Sequence, residues 1–195
     1  NNPNPKGELD YHNLYTLTVA VALSAQATDT GVNKATKELF KIIKVPQDMI
    51  DMGEEELITH IKSIGLYKTK AKNVMKMASQ LIELHGGVIP NDQEALENLA
   101  GVGRKTANVV RNIGFGEPTI AVDTHVFRVS NRLKLAQGKN PLQVEKGLAK
   151  AIPKKYIVDS HHWLILHGRY ICKARKPECE KCPISQYCDY YKKNK

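Results

Sequence analysis

Four cysteines fall in the last 24 of 195 residues and nowhere else: Cys172, Cys179, Cys182 and Cys188. Their spacing is C-x6-C-x2-C-x5-C. Thiols so close together can supply the whole ligand set of one metal centre. Two disulfides are the competing use and fit poorly, because nothing in the sequence points to an oxidising compartment. Spacing alone leaves iron–sulfur and tetrahedral zinc open, since Cys179-x2-Cys182 suits both. Between the first two cysteines runs Lys173-Ala174-Arg175-Lys176-Pro177-Glu178. Tied at both ends, Lys173, Arg175 and Lys176 could grip phosphates. A solvated charge run is the plainer alternative.

A second group surrounds Gly101-Val102-Gly103-Arg104-Lys105-Thr106. The glycines permit a tight turn with exposed N–H groups. A helix starting after them would add its own unpaired N–H groups and the positive end of its dipole, which together suit a phosphate. The pattern is not a dinucleotide fingerprint, because no strand precedes it and no third glycine follows. Nor is it a P-loop, because Gly101 to Lys105 is too short. Lys105 falls in the first helical turn, where a cation opposes the dipole. That position is poor for stability and sensible for a nucleophile; an ordinary phosphate-binding lysine is the alternative. Asp123 follows the apolar Ile120-Ala121-Val122 and precedes Thr124-His125. It can cap a helix, and a capping carboxylate facing Lys105 could also take its proton.

These groups must be positioned by helices, because apolar residues recur at helical spacing and no alternating strand is found. Leu14, Leu17, Val21 and Ser24 mark one face of a first helix. Val32, Ala35, Leu39 and Ile43 mark a second, opened by Thr28 or Asp29. Leu57, Ile58, Ile61 and Ile64 mark a third that Gly65 would stop, and Ala71 to Ile82 a fourth closed by Gly86-Gly87. Asp92 caps a short helix before the glycine turn, and the next runs from the turn to Gly114. Asp123 opens another, Asn140-Pro141 another, and Trp163 to Ile171 belong to the last clear one. The pattern predicts an all-α protein of about ten helices.

Lys and Arg total 29 against 20 Asp and Glu, a net charge of +9. The excess is uneven: 10 against 13 through residue 98, then 19 against 7. A basic half points to a polyanionic partner, most simply nucleic acid; solubility alone is the bland alternative. No apolar run approaches the roughly 18 residues of a membrane span. Asn1 to Pro5 has neither a basic nor an apolar signal region, so a cytoplasmic location is expected.

Taken together, the residues resemble the endonuclease III family, the iron–sulfur members of the helix-hairpin-helix DNA glycosylases. The resemblance runs through Ser24-Ala25-Gln26-Ala27-Thr28-Asp29, Ile64-Gly65-Leu66-Tyr67, Gly101 to Asn108, Ala121 to His125, His161 to Arg169 and the four cysteines. It implies two lobes: a six-helix barrel carrying the hairpin over 7–117, and a cluster domain from 1–6 and 118–195 with its loop at 172–188. The DNA groove would lie between them. It implies a [4Fe–4S] cluster, with Lys105 as nucleophile and Asp123 as its carboxylate partner. Gln26 would fill the gap left by a flipped nucleotide, and Leu66 would wedge between bases; read as residues alone they are a helix-end polar group and a core leucine. Gly101, Val102, Gly103 and Thr106 would hold backbone phosphates, and His125 could reach the pocket. His161, His162 and His167 read as structural. One departure is Ala100, where the family usually has proline, so the turn is less pre-set.

The implied activity is a bifunctional DNA glycosylase and abasic-site lyase, acting as a monomer on oxidised pyrimidines in damaged duplex. Such a protein would be nucleoid-associated in a bacterium. The alternatives are a mismatch-type adenine or thymine glycosylase of the same superfamily, against which Lys105 argues, and a non-catalytic iron–sulfur DNA-binding protein.

Overall fold

The computed structural model describes residues 5–194. Asn1–Asn4, on which most of the reading of the N-terminal segment falls, and Lys195 lie outside the described residues. The chain forms two compact units, Glu8–Phe115 and, from both ends of the chain, Asn1–Gly7 with Gly116–Lys195. No strand occurs among the described residues. No helix among them is long and apolar enough to cross a membrane.

In the first unit α1 (Leu14–Leu23) is central. Every residue from Tyr15 to Leu23 is buried, so the helix has no solvent face and the one-sided stripe expected of it is corrected. Its polar groups are satisfied locally. Thr18 donates to Leu14 O at 2.8 Å, and Asn13 and Thr16 form a reciprocal cap. Around it lie α2 (Asp29–Ile42), α3 (Pro46–Ile61), α4 (Tyr67–His85), α5 (Gln93–Glu97) and α6 (Arg104–Phe115). The third helix starts earlier than its apolar spacing implies, because Pro46 opens it and Gly53 (φ 79°) bends it, and it ends at Ile61. Leu23, Leu39, Met49, Leu57, Met77 and Leu81 fill the core. The first and sixth helices approach closely: a Cβ on Gly114 would lie 2.2 Å from Leu14 Cδ1.

The second unit holds α7 (Thr124–Leu133), α8 (Pro141–Ala151), α9 (Lys154–Tyr170) and α10 (Asp189–Lys193), with single 3-10 turns at Cys179–Lys181 and Ser185–Tyr187. Its core is Ile120, Val122, Val126, Val129, Val144, Leu148, Ile157 and Leu164. His161 and His162 are buried and meet edge-to-face with ring centres 5.1 Å apart. Burial holds the His162 imidazole below its ordinary pKa.

Candidate active site and metal centre

The turn from α5 to α6 leaves Gly101 and Gly103 exposed on either side of Val102. Val102 is buried in the core and its N–H donates to Leu99 O at 3.0 Å. Val102 therefore offers a phosphate neither its side chain nor its N–H. Gly101 sits at φ 78°, where a side chain is strained, and a Cβ there would also press on Asn73 Cβ at 3.0 Å, so the turn favours glycine. Nothing lies within 4 Å of where a Gly103 Cβ would be. The first intrahelical bond is Ala107 N–H to Gly103 O, 2.9 Å, so the N–H groups of Lys105 and Thr106 stand in the unpaired first turn. Lys105 is exposed at this helix end and Thr106 is half-buried.

Three side chains hold the turn, and none of their contacts was readable from local sequence. Gln80 on α4 donates through Nε2 to Asn98 O at 3.1 Å and accepts at Oε1 from Ala100 N–H at 2.8 Å. Arg111 reaches Asn91 and Gln93. Arg104 lies 3.7 Å from Glu97 across the turn. Ala100 thus carries an N–H that a proline would lack, and Gln80 fastens it. Gln80→Leu is expected to orphan both groups. Denaturant unfolding should then show a loss of about 1–2 kcal/mol, and Ala100→Pro should cost less in that variant than in the parent.

Two other predicted residues of this unit share an uncommon backbone. Gln26 (φ 53°), between α1 and α2, and Leu66 (φ 60°), the residue before α4, are left-handed without being glycine. Both are exposed, Leu66 by 60%. Read on residue type alone Leu66 belongs in the core; the structure instead puts it in solvent on a strained backbone, as functional residues are often held.

In the second unit Asp123 caps α7: Oδ1 accepts from Val126 N–H at 2.7 Å. The other carboxylate oxygen has no hydrogen bond among the described residues, so one side chain can cap and still accept a proton. His125 is half-buried beside it. Arg128 lies 3.2 Å from His125 Nδ1, and as arginine carries only donors, Nδ1 is the accepting nitrogen. The same guanidinium donates to Gly168 O (2.8 Å) and Cys172 O (2.9 Å). Gly168 is required, since a Cβ there would lie 2.8 Å from His125 Cβ.

The four cysteines, all unbridged, line one pocket with His167, Ile171, Pro177 and Tyr190. Among the described residues no three His, Cys, Asp or Glu side chains are gathered closely enough for one ion. Four thiols from one short segment match the ligand set of a [4Fe–4S] cluster, which takes one thiolate at each iron. His167 Nε2 lies 3.7 Å from Cys182 Sγ, and burial lowers the imidazole's pKa. Arg132 donates to Cys172 Sγ at 3.3 Å. In the basic loop Lys173 is already paired with Glu178 at 2.5 Å, which holds that carboxyl below its ordinary pKa. Arg175 and Lys176 are exposed and have no ion pair among the described residues; Lys176 is left-handed (φ 50°).

The model of the HhH-GPD superfamily base excision DNA repair proteins matches residues 19–154, and that of the iron-sulfur binding domain of endonuclease III matches residues 172–188. Endonuclease III of Rickettsia conorii is 59% identical over 98% of this chain and 91% of its own. That of Escherichia coli (strain K12) is 55% identical over 99% and 92%. A solved structure of a trapped endonuclease III–DNA covalent intermediate superposes with a TM-score of 0.92 at 48% identity, covering 99% of this chain and 91% of that one. With a glycine turn that presents Lys105 at a helix end and four thiols lining one pocket, these matches establish that the chain belongs to the endonuclease III family, base excision repair DNA glycosylases with abasic-site lyase activity and a [4Fe–4S] cluster.

Proposed function

We propose that the chain removes oxidised or ring-saturated pyrimidines from duplex DNA, with Lys105 as nucleophile and Asp123 as base, and then cuts the strand 3′ to the lesion. The supporting observation is the exposed amine of Lys105 in the unpaired first turn of α6, beside an open Gly103. The N–H groups of Gly101, Gly103 and Thr106 and the helix dipole grip backbone phosphates. Gln26 and Leu66 enter the duplex, where a polar side chain bonds the orphaned base and an apolar one replaces lost stacking. Damage weakens stacking, so the right nucleotide is cheaper to flip.

Asp123 takes a proton from Lys105, and the amine lone pair attacks C1′ of the sugar. The glycosidic bond breaks with its electron pair leaving on the base, which is then protonated. Ring opening gives a Schiff base. The C2′ proton is lost, the electrons form a C2′–C3′ double bond, and the C3′–O bond breaks to release the 3′ strand. Asp123 passes the proton taken from Lys105 on to the departing base, and the restored carboxylate steadies the positive charge that develops on the sugar. His125, oriented by Arg128, lies at the same helix start as Asp123 and contacts the nucleotide. Cys172, Cys179, Cys182 and Cys188 hold the cluster, which organises the loop between the first two ligands. The enzyme works as a monomer in the cytoplasm.

Duplex carrying one oxidised pyrimidine should yield free base and a β-elimination end, while matched undamaged duplex yields neither. Base release confined to adenine or thymine mispairs would make the chain a mismatch glycosylase. Binding with no base release would make it a binding protein.

The basic loop has its own expected outcome. Arg175→Ala and Lys176→Ala should each weaken damaged and undamaged duplex alike, and each should lower the salt slope by roughly 0.9. Lys173→Ala should do less, because Glu178 already holds that ammonium. Equal effects of all three in salt titrations would mean that DNA breaks the Lys173–Glu178 pair.

A further inference from the structure

We infer that Arg132 is a positioning residue that joins the cluster to the phosphate-gripping loop, fixing the backbone that leads into the loop and setting the cluster's electron affinity through Cys172. Its side chain leaves α7 and its fork makes three bonds to one short stretch. One terminal nitrogen donates to Cys172 Sγ (3.3 Å) and Lys173 O (2.8 Å), the other to Ala174 O (3.0 Å). The guanidinium carbon lies 4.3 Å from the centre of the Tyr190 ring, so the fork is stacked as well as bonded. Its backbone meets the other end of the ligand run, where Cys188 Sγ lies 3.8 Å from Arg132 O. One residue therefore touches the first and last cysteines.

Two consequences follow from elementary chemistry. A donor and a positive charge at a ligand sulfur stabilise the more reduced, more negative cluster, so the arginine raises its reduction potential. Bonds to two consecutive carbonyls fix the chain just before Arg175. Only a planar fork with several donors can reach a sulfur and two carbonyls together; the single ammonium of a lysine cannot. The part concerning the loop rests on the proposed phosphate contacts of Arg175 and Lys176.

The test compares Arg132→Met and Arg132→Lys with the parent as cluster-loaded proteins, and needs no turnover. The midpoint potential without DNA should move negative in Arg132→Met and return most of the way in Arg132→Lys, which keeps the charge. Affinity for undamaged duplex should fall roughly tenfold in both, with a smaller salt slope, because neither rebuilds the three-bond clamp. An unshifted potential in Arg132→Met overturns the electronic part. Parent-like affinity in Arg132→Lys overturns the positioning part. If Arg132→Met does not retain its cluster, Arg132→Gln, which loses the charge and keeps a donor, carries the electronic part: its potential should move negative, and an unshifted one overturns that part, while Arg132→Lys carries the positioning part. Arg175→Ala with Lys176→Ala separates the premises. If that pair leaves duplex affinity intact, the phosphate contacts fail, while the potential shift still judges Arg132.

Discussion

Borohydride added while the parent protein works on duplex with an oxidised pyrimidine should trap a covalent protein–DNA adduct, and Lys105→Gln should form none. The Schiff base is reducible to a stable amine, so the trap reports the nucleophile itself. Glutamine has no nucleophilic lone pair on its amide nitrogen. Base release should fall by on the order of 10⁴-fold or more. Binding should survive, because the turn is held from elsewhere: Gln80 fastens Asn98 and Ala100, and Val102 stays in the core. Asp123→Asn separates two roles of one side chain. Asparagine caps as well as aspartate, so the bond from Val126 and the start of α7 should persist. What it loses is the ability to take a proton, and base release should slow by about 10²–10⁴-fold. Cleavage of a preformed abasic site should suffer less, since the aldehyde there is already electrophilic. Adduct formation by Lys105→Gln at the parent's rate would remove the nucleophile from Lys105.

Four helix starts were legible because capping is local. Thr28, Asp92, Asp123 and Asn140 each accept from an N–H three residues on, at 2.7–3.1 Å. Gly86, expected as a stop, ends α4 at φ 60°. What was not legible depends on partners distant in sequence. An apolar stripe cannot reveal that α1 is enclosed on all sides, because Thr16 and Thr18 bond their own turn and so tolerate burial. Gln80 looks like any surface glutamine until the chain returns 20 residues later with an N–H at position 100. Arg128 and Arg132 read as ordinary helix charges, yet their bonds span about 40 residues. Leu66 shows the limit from the other side. Its type argues for the core, and only its left-handed backbone and exposure show that it is held out of it.

Removing the iron should release the chain beyond Ile171 and leave the rest of its unit folded. From Cys172 to Asn194 only Cys188 is buried, and the unit's buried core ends at Leu164. The regular structure there is two single 3-10 turns and a five-residue helix, far below the roughly 12–15 residues at which a helix is marginal alone. Side-chain contacts give little in return. Lys134 with Asp189 (2.6 Å) and Lys173 with Glu178 are surface ion pairs, screened by water and salt. Arg132 helps only where the loop already lies against α7. Ligation is therefore the main term that offsets the chain entropy of this segment, as in small metal-folded modules. The helices α7, α8 and α9 pack through Val126, Val129, Val144, Leu148, Ile157 and Leu164, none of which touches the pocket of the thiols; of these helices only Leu133 and His167 reach it. Hydrogen exchange on protein stripped of iron, or on Cys182→Ala, should show amide protection lost over 173–194 and kept in those three helices. Duplex affinity should drop with it, because Arg175 and Lys176 go with the segment, while far-ultraviolet circular dichroism changes little. Loss of protection in α7–α9 as well would mean that the cluster is needed by the whole unit, and unchanged protection after Cys172 would mean that the loop folds without it.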